Sequence, residues 1–207
     1  MRASDEELVA AWRKGGREAG ERLFRRYFEP VFRFFRNKVD DQIDDLVQQT
    51  FAACLEGRHR LRDDAAFRSY LFAAANRVFV DYLRRKYRQS GDVDVGATAV
   101  YDLAPGPSTV VRARREQQLL VDALRRLPVM YQVVLEMYFW EDMKGSELAE
   151  VLELPLGTVQ GRLRRARELL TGTFDAAAEA RGLTPLRPLA FEEWAAQLRD
   201  DLAGSAA

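Results

Sequence analysis

Residues 144–171 read KGSELAEVLELPLGTVQGRLRRARELLT. The spacing predicts two helices, at about 145–152 and 155–171, separated by about four residues. Pro155 suits the first turn of the second helix, where its missing N–H would have no partner anyway. Val159, Leu163, Ala166 and Leu170 recur at i, i+4, i+7 and i+11, a stripe that packs inward. Thr158, Gln160, Gly161, Arg164 and Arg165 are then left outward, with Arg162 and Arg167 on the flanks. Residues 155–170 hold four Arg against one Glu. Small and polar residues near the start of a helix and Arg farther along fit a DNA major groove: the start reads base edges and the Arg reach phosphate or guanine. The competing reading is a solvated basic face on a helical hairpin. Helix pair, turn and charge together favour the first. Glu153 is out of place in the turn, which often wants Gly.

The same helical period runs outward from this stretch. Helices are predicted at 4–14, 17–39, 41–56, 67–88, 112–126 and 129–139, and no strand pattern competes. Ser4 and Glu7 form a capping box at the first. The second is rich in aromatics, from Leu23 and Phe24 to Phe35, and Pro30 is positioned to kink it. The third points Ile43, Leu46, Val47, Thr50, Phe51, Cys54 and Leu55 inward and leaves Asp44, Asp45, Gln48 and Gln49 on or near the outer face. A polar stretch from Gly57 to Ala66, with Arg58, Arg60 and Arg62, precedes the fourth, whose core candidates are Phe67, Tyr70, Leu71, Ala74, Val78 and Leu83. Residues 89–111 are rich in Gly, Pro, Ser, Thr and Asp and lack any basic residue, as a linker does. The expected fold is all-α. A four-helix domain at 1–89 and a helix-turn-helix domain at 113–172 are joined by a flexible linker at 90–112, and an extension at 173–207 follows. That extension breaks at Gly182 to Pro188 and offers a last amphipathic stretch around Phe191, Trp194 and Leu198, which could fold back on either domain.

Composition narrows the function. The 207 residues are 47% hydrophobic and 31% charged, the balance of a globular chain. Apolar runs such as Val78-Phe79-Val80 are far too short to span a bilayer, and the N-terminus lacks an apolar core behind a basic start, so membrane insertion and secretion are not expected. One cysteine, Cys54, and one histidine, His59, cannot supply a zinc site, so no metal or cofactor is expected and the cytoplasm is the expected compartment. The net charge of zero conceals a division. Residues 1–90 carry 19 Lys/Arg against 14 Asp/Glu, whereas 91–112 carry one against three and 173–207 three against six.

Residues 76–88, NRVFVDYLRRKYR, hold five basic groups against one Asp, with Phe79, Tyr82 and Tyr87 interleaved. Such a stretch suits single-stranded or opened DNA, where charge tracks the backbone and rings hold bases. An ordinary helix end, with the aromatics in the core and the cations favoured by the helix dipole, fits equally well. His59 reads as an exposed loop residue and Cys54 as core. Carboxylates such as Asp63 and Asp64 have no partners for acid–base chemistry and there is no Gly-rich phosphate loop, so no catalytic residue is expected and the chain does not read as an enzyme.

Taken together these motifs resemble a bacterial sigma factor of the extracytoplasmic-function class. Asp45-Leu46-Val47-Gln48 with Phe51 is similar to the family's helix that grips the RNA polymerase clamp. Phe67-Arg68-Ser69-Tyr70-Leu71, Asn76 and Asp81-Tyr82-Leu83-Arg84-Arg85 resemble the helix that faces the −10 element. Leu127-Pro128, Glu147-Leu148-Ala149-Glu150-Val151-Leu152, Pro155-Leu156-Gly157-Thr158-Val159 and Arg162-Leu163-Arg165-Ala166-Arg167 resemble the −35-binding domain. Gln49 departs from a common acid, Gln160 and Gly161 from a usual Lys and Ser, and Glu153 from a turn Gly, so the −35 sequence cannot be borrowed from relatives.

The resemblance implies a factor that binds core polymerase through Asp45, Gln48 and Gln49, recognises a promoter, melts its −10 region without ATP, and initiates transcription. Arg58, Arg60, Arg68, Asn76, Arg77, Arg84 and Arg85 are the implied −10 contacts, and Thr158, Gln160, Gly161, Arg162, Arg164 and Arg165 the −35 contacts. Asp92, Asp94 and Asp102 of the linker would mimic nucleic acid in a basic channel of polymerase. An anti-sigma protein is an expected partner, and the free chain is expected to be a monomer. A stand-alone helix-turn-helix regulator would leave the Asp45–Gln48 helix and the basic-aromatic helix unexplained. A sigma mimic that titrates an anti-sigma protein would lack the basic recognition helix.

Overall fold

A computed structural model describes residues 3–39, 41–61, 66–87 and 115–182. The linker calculated from composition, with Asp92, Asp94 and Asp102, lies outside the described residues, as do Phe191, Trp194 and Leu198. Eight α-helices are described: α1 (Asp5–Arg13), α2 (Arg17–Arg36), α3 (Ile43–Gly57), α4 (Phe67–Lys86), α5 (Arg115–Arg125), α6 (Val129–Phe139), α7 (Gly145–Leu152) and α8 (Leu156–Glu179). A 3-10 turn at Arg58–Arg60 follows α3, and no strand occurs among the described residues.

Helices α1–α4 pack around aromatic side chains. Trp12 of α1 meets Phe24 and Phe67 edge-on, with ring centroids 5.6 and 5.8 Å apart. Phe34 of α2 meets Phe72 and Phe79 of α4, each at 6.0 Å. Each ring so buried contributes about 1.5–3 kcal/mol over its exposed state. The α1–α2 corner needs a residue without a side chain: a Cβ on Gly20 would come within 2.5 Å of Trp12 Cδ1. The predicted capping box closes α1, with the Glu7 amide donating to Ser4 Oγ and the Ser4 amide to Glu7. Helix α2 continues through Pro30 and ends at Arg36, three residues short of expectation. There the Lys38 ammonium turns back to donate to the Phe34 carbonyl, one of the terminal acceptors with no partner inside the helix.

Helix α6, VMYQVVLEMYF, is apolar on most of its circumference, with Gln132 and Glu136 the exceptions, which marks a helix largely covered by its neighbours. It lies between two clusters of buried residues. Leu135 joins Leu119, Leu170 and Phe174 in a core shared by α5, α6 and α8. Val133, Val134 and Met137 join Leu148, Val151 and Val159 in a core continuous with that of α1–α4. The two helical groups therefore pack directly on each other, chiefly through α4 against α7. The sequence pattern gave no sign of this contact.

Two further placements differ from expectation, those of Leu55 and of the end of α8, and the open reading of the basic helix is decided. Leu55 is exposed rather than inward, because at 100° per residue it falls about 110° from the centre of the arc holding Leu46, Val47, Thr50, Phe51 and Cys54. Phe79 and Tyr82 are buried, so those aromatics of the basic helix serve the core. Helix α8 runs past residue 171 to Glu179, because Phe174 and Ala178 carry the buried stripe on for two more turns.

Candidate nucleic-acid interface

The turn between α7 and α8 has the geometry that glycine favours, yet Glu153 occupies it at φ 55° and ψ 43°. Its amide closes α7 onto the Glu150 carbonyl, and the Leu154 amide bonds to Ala149 at 3.0 Å. The chain then enters α8 at Pro155. Val159, Leu163, Ala166 and Leu170 are buried as predicted. Thr158, Gln160, Arg164 and Arg165 are exposed, and Gly161 and Arg162 half-exposed. Arg165 pairs with Glu168 at 3.1 Å, and Arg167 lies over the Tyr138 and Phe139 rings. A Cβ on Gly161 would meet nothing within 4 Å, so packing does not require glycine there.

The basic groups around α4 divide. Arg58, on the 3-10 turn, is exposed beside His59. Arg77 and Arg84, seven residues apart, share one side of α4, and Arg85 is exposed one residue on. Arg84 lies 3.5 Å from Asp81 and Arg85 donates to the Asp81 carbonyl. Asn76 is half-buried. At the end of the helix Tyr82 and Lys86 both donate to Asp41, holding the α2–α3 corner against α4. Those two hydrogen bonds keep the Asp41 carboxyl below its usual range.

Two of the predicted cations of the first helical group are engaged by the second. Arg68 donates to the Glu147 carboxylate at 2.8 Å and to the Glu141 carbonyl at 3.0 Å. Arg77 lies 3.3 Å from Glu153. Deeper in the contact Arg33 pairs with Glu141 at 2.8 Å, and the Lys38 ammonium, fully buried, pairs with Glu136. Burial drives the Glu136 carboxyl up and the Lys38 ammonium down, against their mutual attraction. Burial also raises Glu141, opposed by Arg33. Burial alone would raise Glu147 too, but the Lys144 amide and Arg68 together hold it low. These four carboxylates are functional candidates that the sequence reading missed. The available signal was Gln132 and Glu136, polar groups one turn apart in the otherwise apolar α6.

On α3, Asp45, Gln48 and Gln49 are exposed as expected. Leu55, 46% exposed, falls on the same side, seven residues after Gln48. It adds an apolar anchor to a polar face. Cys54 is buried, which pushes its thiol up to about 12 and out of nucleophilic range. No described helix is long and apolar enough to cross a membrane.

Comparison with known proteins places this architecture. The family described as Sigma-70 region 2 matches residues 23–89, and Sigma-70 region 4 matches 117–170; together they span more than half the chain. The chain is 24% identical over 176 residues to the ECF RNA polymerase sigma-E factor of Haemophilus influenzae, covering 81% of this chain and 93% of the relative. It is equally similar to the sigma-E factor of Escherichia coli K12, covering 81% and 92%. Among solved structures, that of CnrH in complex with the cytosolic domain of CnrY superposes with a TM-score of 0.63 at 25% identity, covering 84% of this chain and 99% of that one. With two sigma-70 regions in order on an all-helical fold, the chain belongs to the extracytoplasmic-function class of sigma factors, which direct transcription initiation.

Proposed function

We propose that this sigma factor divides its work between two units, with boundaries near residues 89 and 113. The first would bind core polymerase through Asp45, Gln48 and Gln49 of α3. The exposed Leu55 extends that face, giving a docking helix both polar specificity and an apolar anchor. The same unit would hold the opened −10 strand along Arg58, Arg60, Arg68, Asn76, Arg77, Arg84 and Arg85. Because Phe79 and Tyr82 serve the core, stacking cannot come from them, and the guanidinium row on α4 would instead hold the strand by its phosphates.

The second unit would dock Thr158, Gln160, Gly161, Arg162, Arg164 and Arg165 against the −35 duplex. The observation that carries this is the outer face of α8, on which polar groups at its start and Arg beyond remain exposed while the buried stripe is fully used. An anti-sigma partner belongs to the proposal, since CnrH was solved holding the cytosolic domain of CnrY. The free chain is proposed to be a monomer acting in the cytoplasm.

Reconstituted transcription tests the reading, with purified chain, sigma-free core polymerase and genomic fragments that include the region upstream of its own gene. Specific initiation that Gln48→Ala with Asp45→Ala abolishes, and that Leu55→Asp weakens, is the expected result. A chain that binds duplex DNA but never core polymerase would overturn it in favour of a stand-alone regulator.

A further inference from the structure

From Glu136 onward the second unit carries its charge in two blocks. Residues 136–153 hold six acidic groups against one Lys, and residues 155–170 hold four Arg against one Glu. The acidic block faces the first unit. Glu136, Glu141, Glu147 and Glu153 pair in turn with Lys38, Arg33, Arg68 and Arg77. Among the described residues, every ion pair between the units takes its cation from the first and its anion from the second. The basic block turns away, leaving Thr158, Gln160, Arg164 and Arg165 exposed.

Arg68 and Arg77 belong to the proposed −10 surface. A guanidinium that already holds a carboxylate cannot also neutralise a phosphate without giving one up, and both ligands recognise the same planar fork. We infer that the acidic face of the helix-turn-helix unit is an internal competitor for opened DNA. The closed chain masks its single-strand surface while its duplex-reading helix stays available. The inference rests on the −10 assignment proposed above. It deepens that assignment by making the two DNA activities unequal in the free protein: competition lowers apparent affinity by the fraction of molecules that are closed, and it does so for one kind of DNA only.

The contact is suited to release. The outer pair, Arg77 with Glu153, is mostly solvated, with side chains 64% and 72% exposed, and contributes little by itself. The Arg68 pair is about one-third exposed, and only the Arg33 and Lys38 pairs are deeply buried. Charge pairing graded in this way orients the closed form and leaves its rim open to a polyanion.

The test uses the full chain carrying Glu141→Gln, Glu147→Gln and Glu153→Gln. Glutamine keeps the shape of each side chain and can still accept the Lys144 amide that caps α7. Fluorescence anisotropy measures binding to a random-sequence single-stranded oligonucleotide and to its duplex, and small-angle scattering reports the radius of gyration. A larger radius with about tenfold tighter single-strand binding, equivalent to ~1.4 kcal/mol, and unchanged duplex binding is expected. An equal gain on both DNAs would reflect added positive charge alone and would overturn the inference, as would an unchanged radius or unchanged single-strand affinity. Glu153→Lys, which changes a single side chain that is 72% exposed, should shift single-strand binding the same way and guards against a misfolded triple variant. Transcription by the wild-type chain with core polymerase, run in parallel, reports on the sigma reading separately. If it initiates normally while the affinity ratio does not move, the masking fails and the sigma reading stands.

Discussion

Replacing Lys38 with Met should disturb the molecule more than any other single change to a charged residue. The Lys38 side chain has no solvent exposure and its partner Glu136 has 3%. The ammonium lies 3.8 Å from the centroid of the Phe34 ring and also donates to the Phe34 carbonyl. Methionine can fill that aromatic cradle, so lost packing is a minor part of the effect. The major part is Glu136, left buried with only the Gln132 amide, 2.8 Å away, as donor. Stranding one member of a buried pair costs about 3–5 kcal/mol, whereas replacing both by apolar groups is near neutral or favourable. At roughly 2–4 °C per kcal/mol for a chain of this size, Lys38→Met should lower Tm by roughly 6–20 °C. Adding Glu136→Leu should restore most of the loss, a coupling of about 3 kcal/mol in a double-mutant cycle.

The pair bridges two units, so the variant has another route: it can open and return Glu136 to water. Denaturation and scattering must therefore be measured together. Acid should rescue the single variant. Burial already raises Glu136 in the presence of Lys38, and without that cation the raised value moves higher still. A carboxyl raised in the folded state stabilises below its unfolded value, and that stability is lost as pH rises through the folded value. The penalty should therefore be smaller at about pH 5 than at about pH 8. A Lys38→Met chain with unchanged Tm and unchanged radius, or a double variant whose losses simply add, would refute the reasoning.

Glu153→Gly should relieve about 1–2 kcal/mol of left-handed backbone strain against ~0.5–1 kcal/mol of extra chain entropy, a net gain of about 0–1.5 kcal/mol, read as a small rise in Tm. Glu153→Gln, which keeps the strain and removes only the charge, separates that gain from the loss of the Arg77 pair. Gly20→Ala should cost about 1–3 kcal/mol in chemical denaturation, since its Cβ would press on the Trp12 ring inside the α1–α2 corner. Asp41→Asn should flatten the acid limb of the stability curve. The Asp41 carboxyl is held low by Tyr82 and Lys86, so its contribution is present above the ordinary value of 3.8 and lost as pH falls through the folded value. Because Asp41 is half-exposed, that effect should stay below ~1 kcal/mol.

Local pattern made most of the helices legible. Ser4 and Glu7 announced α1, the run of aromatics announced α2, and Val129–Phe139 and Gly145–Leu152 form helices where the sequence put them. The exposed face of α8 followed from four buried apolar residues at helical spacing. What failed depended on partners far away along the chain. Lys38 and Glu136 are 98 residues apart, and Arg33 and Glu141 are 108 apart; Lys38, Arg33 and Glu141 read locally as ordinary surface charges, and only Glu136 stands out, as an acid in an apolar helix. Tyr82 and Phe79 were ambiguous for the same reason, because a ring beside Arg and Lys suits a core and a nucleobase equally. Leu55 was misplaced because a single apolar residue at the edge of a stripe falls inside or outside on a few tens of degrees.

The chain's zero net charge acquires a physical sense from this contact. Had the two units met through apolar surface alone, burial would have been non-directional, and several registers would have competed. Charge sorted by unit limits that choice, since a register that strands any of Arg33, Lys38, Glu136 or Glu141 leaves a buried ion without its partner. The same sorting makes the contact answer to a polyanion. A phosphate backbone can replace Glu147 and Glu153 at the rim but has no access to Glu136 behind them. Displacement of the rim therefore comes first, and separation of the buried pair is the step that commits the chain to the open form. Lys38 and Glu136, which are not among the proposed DNA contacts, would then set how readily the factor engages melted promoter.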